Sequence, residues 1–350
     1  MFQDMSQSQT SDIHLWSDPQ TGLQAVIAIH DTSRGPALGG CRFFPYNSSG
    51  DAIRDAIRLA QGMSDKAALA GIEQGGGKAV IMAPRDIQNQ EALFLSFGRF
   101  VHSLGGRYIT AMDVGTTTAD METIARVTPH VTCTSASGNP ALYTALGVYH
   151  GILACLKACK DLPDSLNGVH VAVQGLGHVG YALCDLLHKD GAKLTVCDLD
   201  PEKSALCQKN FGATVVAAKE ILSVDCDIFS PCGLGGVIGT SVAQSLKCRA
   251  VAGSANNQLA TPEAGLALHR QNILCAPDFL INAGGLIHAS LSHRGKTAAE
   301  TRKRVTLIEQ TILRPFNRQI TSGEPPSLMA DRMAEDILYS PKHQLEQLSA

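Results

Sequence analysis

Apolar and polar positions follow two rhythms along the chain, and each change of rhythm marks an element. Leu23-Gln-Ala-Val-Ile-Ala-Ile-His30 is an apolar run of strand length, and Gly35-Pro-Ala-Leu-Gly-Gly40 breaks it as a loop. From about residue 51 to 70 the period turns helical. Ile53, Ile57, Ala60 and Met63 recur on one side, while Arg54, Asp55 and Arg58 fall toward the other. Gly75-Gly-Gly77 ends that region, and Lys78-Ala-Val-Ile-Met82 predicts a new strand. A helix over residues 90–104 and a short strand, Tyr108-Ile-Thr-Ala-Met112, lead to Asp113. Residues 132–140, rich in Gly, Pro and Ser, predict a hinge or linker. Beyond them, strands at 170–174, 193–197, 226–230 and 250–252 alternate with helices such as 177–189, the pattern of one parallel sheet.

With 350 residues the chain has room for two domains, and 44% hydrophobic against 17% charged residues allows a large core. The net charge of -3, without acidic or basic blocks, gives no electrostatic case for nucleic acid or an anionic membrane. The 11 cysteines form no C-x-x-C pair, so free thiols in a reducing compartment are expected rather than disulfides or a zinc ribbon, and no metal site is expected. The polar start, residues 1–11, does not resemble a signal peptide, and no apolar stretch looks long enough to span a bilayer. A cytoplasmic protein is the expectation.

Gly175-Leu-Gly177-His-Val-Gly180 matches G-x-G-x-x-G, a weak signal alone. Here a strand precedes it, a helix follows it, and the next strand ends at Asp198, which is the context of a dinucleotide site. Gly175 permits the tight turn, Gly177 the approach of a pyrophosphate, and Gly180 the packing of helix on strand. His178 and Val179 open the helix whose N-terminus would face the phosphates. Asp198 would accept the adenosine ribose hydroxyls and repel a 2′-phosphate, which predicts NAD rather than NADP.

In the first half, Lys78 follows three glycines and precedes an apolar strand, Lys66 sits one turn past Met63, and Asp113 ends a strand before a polar loop. Taken alone, each has a plain alternative: surface lysine, or a turn-capping aspartate. Together with Gly35 to Arg42, Arg58 to Lys66, Gly75 to Val80, Asp113-Val-Gly115, Cys226 to Gly236, Gly253 to Leu259 and Ile281 to Gly285, they form a long ordered set of motifs. That set resembles the leucine/phenylalanine/valine branch of the Glu/Leu/Phe/Val amino-acid dehydrogenase family, its leucine members most, from about residue 13 to 332.

The resemblance implies an α/β protein of two domains with a cleft between them. Residues 1–135 would form a substrate, catalytic and oligomerisation domain, with 327–350 packing back on it, and 136–326 a Rossmann-type NAD-binding domain. It implies NAD-dependent, reversible oxidative deamination of leucine or another branched-chain amino acid, in a homo-oligomer such as a dimer or octamer. Lys66 would pair with the substrate α-carboxylate, Lys78 would activate water, and Asp113 would exchange protons with amine and water. Thr144 would touch the nicotinamide amide, and Asn257 would lie by substrate and cofactor. For Asn256, Asn257 and Asn282 the plain alternative is turn formation, as good a reading as function for Asn282.

Related glutamate enzymes hold the distal carboxylate with a lysine and a serine at the positions of Leu38 and Ala289 here. An apolar wall cannot compensate a desolvated carboxylate, so glutamate is not expected. Leu38, Gly39, Met63, Ala111, Leu286 and Ala289 would line the pocket. Leu286 and Ala289 stand where the leucine enzymes carry valines, His288 replaces an asparagine, and Ser64-Asp65 replaces Thr-Tyr. An aromatic amino-acid dehydrogenase, for phenylalanine or tryptophan, is the rival within the class. A silent NAD-binding regulator is the rival outside it, and Cys232 as an aldehyde-dehydrogenase-type nucleophile is a third reading without a matching base.

Overall fold

The computed structural model describes residues 2–86, 88–322 and 324–339, with the backbone alone for 319–322. It divides into two compact units. The first holds residues 2–139, 289–297 and 334–339; the second holds 140–288 and 298–333. Of the segment expected to return to the first domain, 327–333 lie with the second unit and 340–350 fall outside the described residues.

The first unit is built on a five-stranded mixed sheet. After α1 (Phe2–Ser8) come β1 (Asp12–Asp18), β2 (Leu23–Asp31), β3 (Ala37–Phe44), α2 (Ser49–Ala70), β4 (Gly75–Met82), α3 (Gln90–Ser103), β5 (Tyr108–Met112) and α4 (Thr118–Ala125). The strand order is β1-β2-β4-β3-β5. β2 runs antiparallel to β1 and β4, whereas β3 is parallel to both β4 and β5. Strand alternation sends Val26, Ala28 and Val80 to one face, where they pack on Ala52, Ala56, Ile57 and Ala60 of α2. Ser48 caps α2 by accepting from the Asp51 amide, and Gly71, at φ 62°, ends it in the left-handed conformation.

Four expectations need correction. The stretch Gly35–Gly40 is not all loop, because β3 starts at Ala37 and lies inside the sheet. Its glycines mark close backbone approach: a β-carbon on Gly39 would lie 1.7 Å from the Gly77 carbonyl oxygen. For the same reason Gly75-Gly-Gly77 is strand, not boundary. The buried stripe of α2 is also rotated toward its alanines, leaving Ile53 and Met63 half-buried. Finally, the segment Ser135–Ala158, most of it the helix Pro140–Ala158, is long and apolar enough by composition to cross a membrane. Tyr, Thr and His interrupt its apolar residues, which hid it from a search for an unbroken run. Within the second unit it is packed: β-carbons on Gly147 and Gly151 would collide with Ile281, Ile308 and Ile312.

The second unit opens with α5 (Pro140–Ala158) and carries a six-stranded parallel sheet. Its strands are β6 (His170–Gln174), β7 (Lys193–Cys197), β8 (Thr214–Val215), β9 (Ile228–Pro231), β10 (Ala250–Val251) and β11 (Leu274–Cys275), ordered β11-β10-β9-β6-β7-β8. α6 (His178–Lys189) links β6 to β7, and α7 (Pro201–Phe211) links β7 to β8. The order reverses at β6, the switch point where doubly wound sheets bind nucleotides. All 11 cysteines are free, nine of them buried.

Candidate active site

Register brings the charged groups of the first unit together. β3 pairs Cys41 with Met112 of β5 and Arg42 with Val80 of β4, so the next positions place Arg42 beside Asp113 and Gly40 beside Lys78. Gly40 supplies the room: a β-carbon there would lie 2.6 Å from the Asp113 β-carbon. Lys78 Nζ donates to Asp113 Oδ2 at 2.5 Å, and Arg42 Nε approaches the same oxygen at 3.4 Å. Lys78 is 5% exposed, while the Asp113 side chain keeps 23% of its surface open. The site is therefore a buried cation under a carboxylate that solvent or a ligand can reach.

The turn after β5 fixes that carboxylate. Thr116 Oγ1 accepts from the Asp113 amide at 2.9 Å and lies 3.1 Å from the Cys41 carbonyl. The Phe43 amide donates to the Val114 carbonyl, and Gly115 takes φ 80° against the Phe43 carbonyl. Burial pushes the Asp113 carboxyl up. The Lys78 ammonium, its hydrogen bond, and then Arg42 outweigh that, leaving Asp113 below its ordinary value. Asp113 is thus an anion held ready between two cations.

α2 docks on this strand through Gly76. A β-carbon there would lie 2.1 Å from the Ser64 amide nitrogen. Ser64 and Gly76 each stand two residues before a lysine, so their contact sets the helix turn carrying Lys66 against the strand carrying Lys78. Ser64 Oγ is also 2.8 Å from His30 Nδ1, whose ring reaches the Ser8 carbonyl at 2.8 Å on its other side. Lys66 itself is half-buried. Tyr108, fully buried against Gly77, donates to the Gly39 carbonyl at 2.7 Å and so holds the strand residue expected at the substrate. Leu38, Ala111 and Ala289 are buried in this unit with Met63 half-buried, and Thr132 Oγ1 donates to the Ala289 carbonyl at 3.1 Å.

The second unit holds the glycine turn. Gly175 has φ 91°, and its β-carbon would lie 2.7 Å from Gly233. A β-carbon on Gly180 would lie 2.0 Å from the Gly175 carbonyl oxygen. Gly177 differs: nothing lies within 4 Å of its β-carbon position, and it caps α6 without a side-chain bond. Two glycines thus serve packing, and the middle one opens a space at a helix N-terminus, the cradle a pyrophosphate needs. His178 and Val179 form the first turn of that helix. Asp198 Oδ2 accepts from the Leu176 amide at 2.6 Å and Oδ1 from the Asp200 amide at 2.9 Å. A carboxylate offers about four lone-pair sites, so Asp198 keeps acceptor capacity for a ribose hydroxyl. Burial pushes Asp198 up, but these amides and Lys203 bring it below its ordinary value. The residues present fit a dinucleotide.

Thr144 lies on α5, its hydroxyl donating to the Pro140 carbonyl at 3.2 Å, and Gly285 is pressed on it. Asn257 sits exposed in a left-handed turn at φ 50°, its carbonyl accepting from Gly236 and its amide donating to Asp278. Asn282 is buried and donates to Asn256 Oδ1 at 2.8 Å and the Ser254 carbonyl at 3.2 Å, which staples the Asn257 loop. Leu286 is buried in the helix Gly284–His293. Cys232 lies under the glycine turn, 3.6 Å from Ser230 Oγ. Among the described residues no group of three His, Cys, Asp or Glu is placed to hold a metal.

Sequence reasoning placed Lys78 and Asp113 but missed three supports: the clearance at Gly40, the Tyr108 anchor, and Arg42 with Asp55 behind it. The i,i+3 pair Asp55–Arg58 was visible as a pattern; its tie to Arg42, 13 residues away on another element, was not.

Comparison with known proteins agrees in both halves. Residues 9–130 match the Glu/Leu/Phe/Val dehydrogenase dimerisation domain, and residues 195–312 match the Glutamate/Leucine/Phenylalanine/Valine dehydrogenase domain. A leucine dehydrogenase of Geobacillus stearothermophilus is 45% identical over 340 residues, 96% of this chain and 92% of its own. An L-tryptophan dehydrogenase of Nostoc punctiforme is 44% identical over 322 residues, 91% of each chain. The crystal structure of L-tryptophan dehydrogenase from Nostoc punctiforme superposes with a TM-score of 0.88 at 39% identity, over 99% of this chain and 100% of that one. The first family match lies within the first unit and the second almost wholly within the second, and the chain belongs to the Glu/Leu/Phe/Val dehydrogenase family.

Proposed function

We propose that the chain is an NAD-dependent dehydrogenase that oxidatively deaminates leucine and other branched-chain L-amino acids. The products are the 2-oxo acid, ammonia and NADH, and the reaction is reversible. The observation that carries this is the buried Lys78–Asp113 pair, on a sheet whose neighbouring candidate wall residues, Leu38, Ala111 and Ala289, are apolar. Similarity to leucine dehydrogenases at 42–45% identity supports leucine over the aromatic substrates.

The residues divide the work as follows. Lys66 pairs with the α-carboxylate. Gly175, Gly177, His178, Val179, Gly180 and Asp198 hold the dinucleotide, with Thr144 at its amide and Asn257 beside it. The nicotinamide ring, when bound, accepts the hydride from the α-carbon. Asp113 takes a proton from the α-amine, so that its nitrogen lone pair can form the iminium as hydride leaves. Asp113 releases that proton to solvent. Lys78 then orients the water that adds to the iminium carbon. Asp113 takes the proton this water loses and returns it to the nitrogen, and the remaining hydroxyl proton leaves with the ammonia as the carbonyl forms. Leu38, Met63, Ala111, Leu286 and Ala289 exclude water from the side chain and offer a carboxylate no partner, which disfavours glutamate.

The test follows absorbance of the reduced ring, with purified protein, NAD and a panel of L-amino acids. Leucine, isoleucine or valine are expected to give the highest kcat/KM. A preference for phenylalanine or tryptophan would keep the mechanism and change the substrate. Absence of turnover with every amino acid, despite NAD binding, would replace the reading with a silent NAD-binding protein.

Preference for NAD is assigned to Asp198. Asp198→Asn keeps an acceptor oxygen and removes the charge facing the ribose. It is expected to raise KM for NAD about tenfold, the loss of one charge-assisted hydrogen bond, and to make turnover with NADP measurable. Steady-state kinetics with both nucleotides checks this; an unchanged NAD to NADP ratio would remove Asp198 from the specificity argument. Eleven free thiols support a reducing, cytoplasmic setting, and the dimerisation-domain match supports a homo-oligomer.

A further inference from the structure

Behind the Lys78–Asp113 pair lies a second carboxylate that touches neither. Asp55, on α2, has a side chain only 17% exposed and is fully engaged. Its Oδ2 accepts from Arg42 Nη1 at 2.7 Å and from the Tyr46 hydroxyl at 2.6 Å, and its Oδ1 from Arg58 Nη2 at 2.8 Å. One guanidinium therefore serves two carboxylates unequally, Asp55 at 2.7 Å and Asp113 at 3.4 Å. Because the guanidinium is rigid and planar, anchoring one edge fixes the other. Freed of Asp55, Arg42 could close on Asp113 as a bidentate pair, the geometry such groups prefer.

We infer that Asp55 is a positioning residue: it holds Arg42 back from Asp113, so that Asp113 stays with the Lys78 ammonium and open to substrate. This rests on the roles proposed above for Lys78 and Asp113. The charges agree with the geometry. Burial pushes Asp55 up, but the bonds from Tyr46 and Arg58 and the two arginines bring it below its ordinary value. Burial pushes Arg42 down, but Asp113 and then Asp55 more than offset this and hold it charged. Tyr46, pushed up to about 12 by burial and then by Asp55, remains a donor. The other groups around Asp113 are Lys78 from β4, Cys41 from β3 and Tyr108 from β5. Burial keeps that thiol and that phenol neutral, so the two cations set its charge.

The test compares Asp55→Asn, Arg42→Gln, the double variant and Asp55→Glu. Asp55→Asn is expected to lower kcat about tenfold with KM for leucine within about twofold, since Asp113 becomes a poorer proton acceptor while binding is untouched. Asp55→Glu should recover most of that loss. In the Arg42→Gln background, Asp55→Asn should add nothing, because Asp55 acts only through Arg42. Without substrate, the Asp113 carboxyl followed by 13C NMR should titrate at higher pH in Arg42→Gln and no higher than wild type in Asp55→Asn. If Asp55→Asn fails to fold, Tyr46→Phe weakens the same anchor without changing charge and should lower kcat by about threefold. Wild-type kcat in Asp55→Asn or Tyr46→Phe, additive losses in the double variant, or an upward titration of Asp113 in Asp55→Asn would overturn the inference. An inert wild type would instead sink the proposed reaction, leaving the NMR comparison to decide the positioning role.

Discussion

Lys78→Ala is expected to lower kcat for leucine oxidation by about 10³- to 10⁴-fold, because it removes the group that orients water and disturbs the proton-transfer group, Asp113. The reason is double. The ammonium that would orient water is gone, and Asp113 loses its 2.5 Å partner inside a buried site. With burial no longer offset by Lys78, the Asp113 carboxyl should titrate higher than in wild type, since Arg42 at 3.4 Å is a weaker neighbour. NAD affinity should change little, because the residues assigned to the dinucleotide belong to the other unit. Stopped-flow and steady-state kinetics, paired with a direct NAD titration, read both effects. A Lys78→Ala protein that retains even a tenth of wild-type kcat would remove Lys78 from the chemistry.

Gly76→Ala is expected to be among the most damaging single-methyl additions in the first unit. The new carbon would sit 2.1 Å from the Ser64 amide nitrogen and 2.6 Å from its α-carbon, so backbone must move and not merely a side chain. Overpacking of this kind costs about 1–3 kcal/mol, and here the helix that must yield also carries Lys66. Two readouts follow. Thermal unfolding should drop by several degrees. In the fraction that folds, KM for leucine should rise more than kcat falls, because Lys66, proposed above to pair with the α-carboxylate, is displaced from the Lys78 strand. A variant with unchanged melting and unchanged KM would show that α2 does not need this approach. Gly62→Ala, on the exposed side of the same helix with nothing within 4 Å, is the control and should be neutral or slightly stabilising.

Legibility in the sequence varied with how local the controlling physics is. The strands at Tyr108–Met112, His170–Gln174 and Lys193–Cys197 were read to the residue, because each is a short apolar run bounded by turn formers. The glycine turn was legible for the same reason: its strand, helix and acidic residue all lie between His170 and Asp198. The stretch Gly35–Gly40 misled because glycine has two uses. It breaks structure in a turn, but in β3 it lets strands and a helix meet at distances no side chain allows. The α2 face misled through bulk: Ile53 and Met63 look like core, yet the buried stripe is mostly small, Ala52, Ala56, Ala60, Ser64, Ala67 and Ala68 with Ile57 and Leu69, and Ser64 is the residue pressed on Gly76.

What the chain determined by itself is the chemistry available to it: two lysines and an aspartate in the first half, a glycine turn and its acidic partner in the second, and apolar side chains at Leu38 and Ala289. These are properties of residue type and short spacing, which survive without coordinates. What only the tertiary structure decided is which of these groups meet. Lys78 and Asp113 are 35 residues apart and Arg42 is 71 from Asp113. Their contact depends on β3 lying between β4 and β5 in one register, and on the glycines that make the approach sterically possible. Strand order and register are set by the packing of the whole sheet against its helices, a non-local sum that no window of sequence contains.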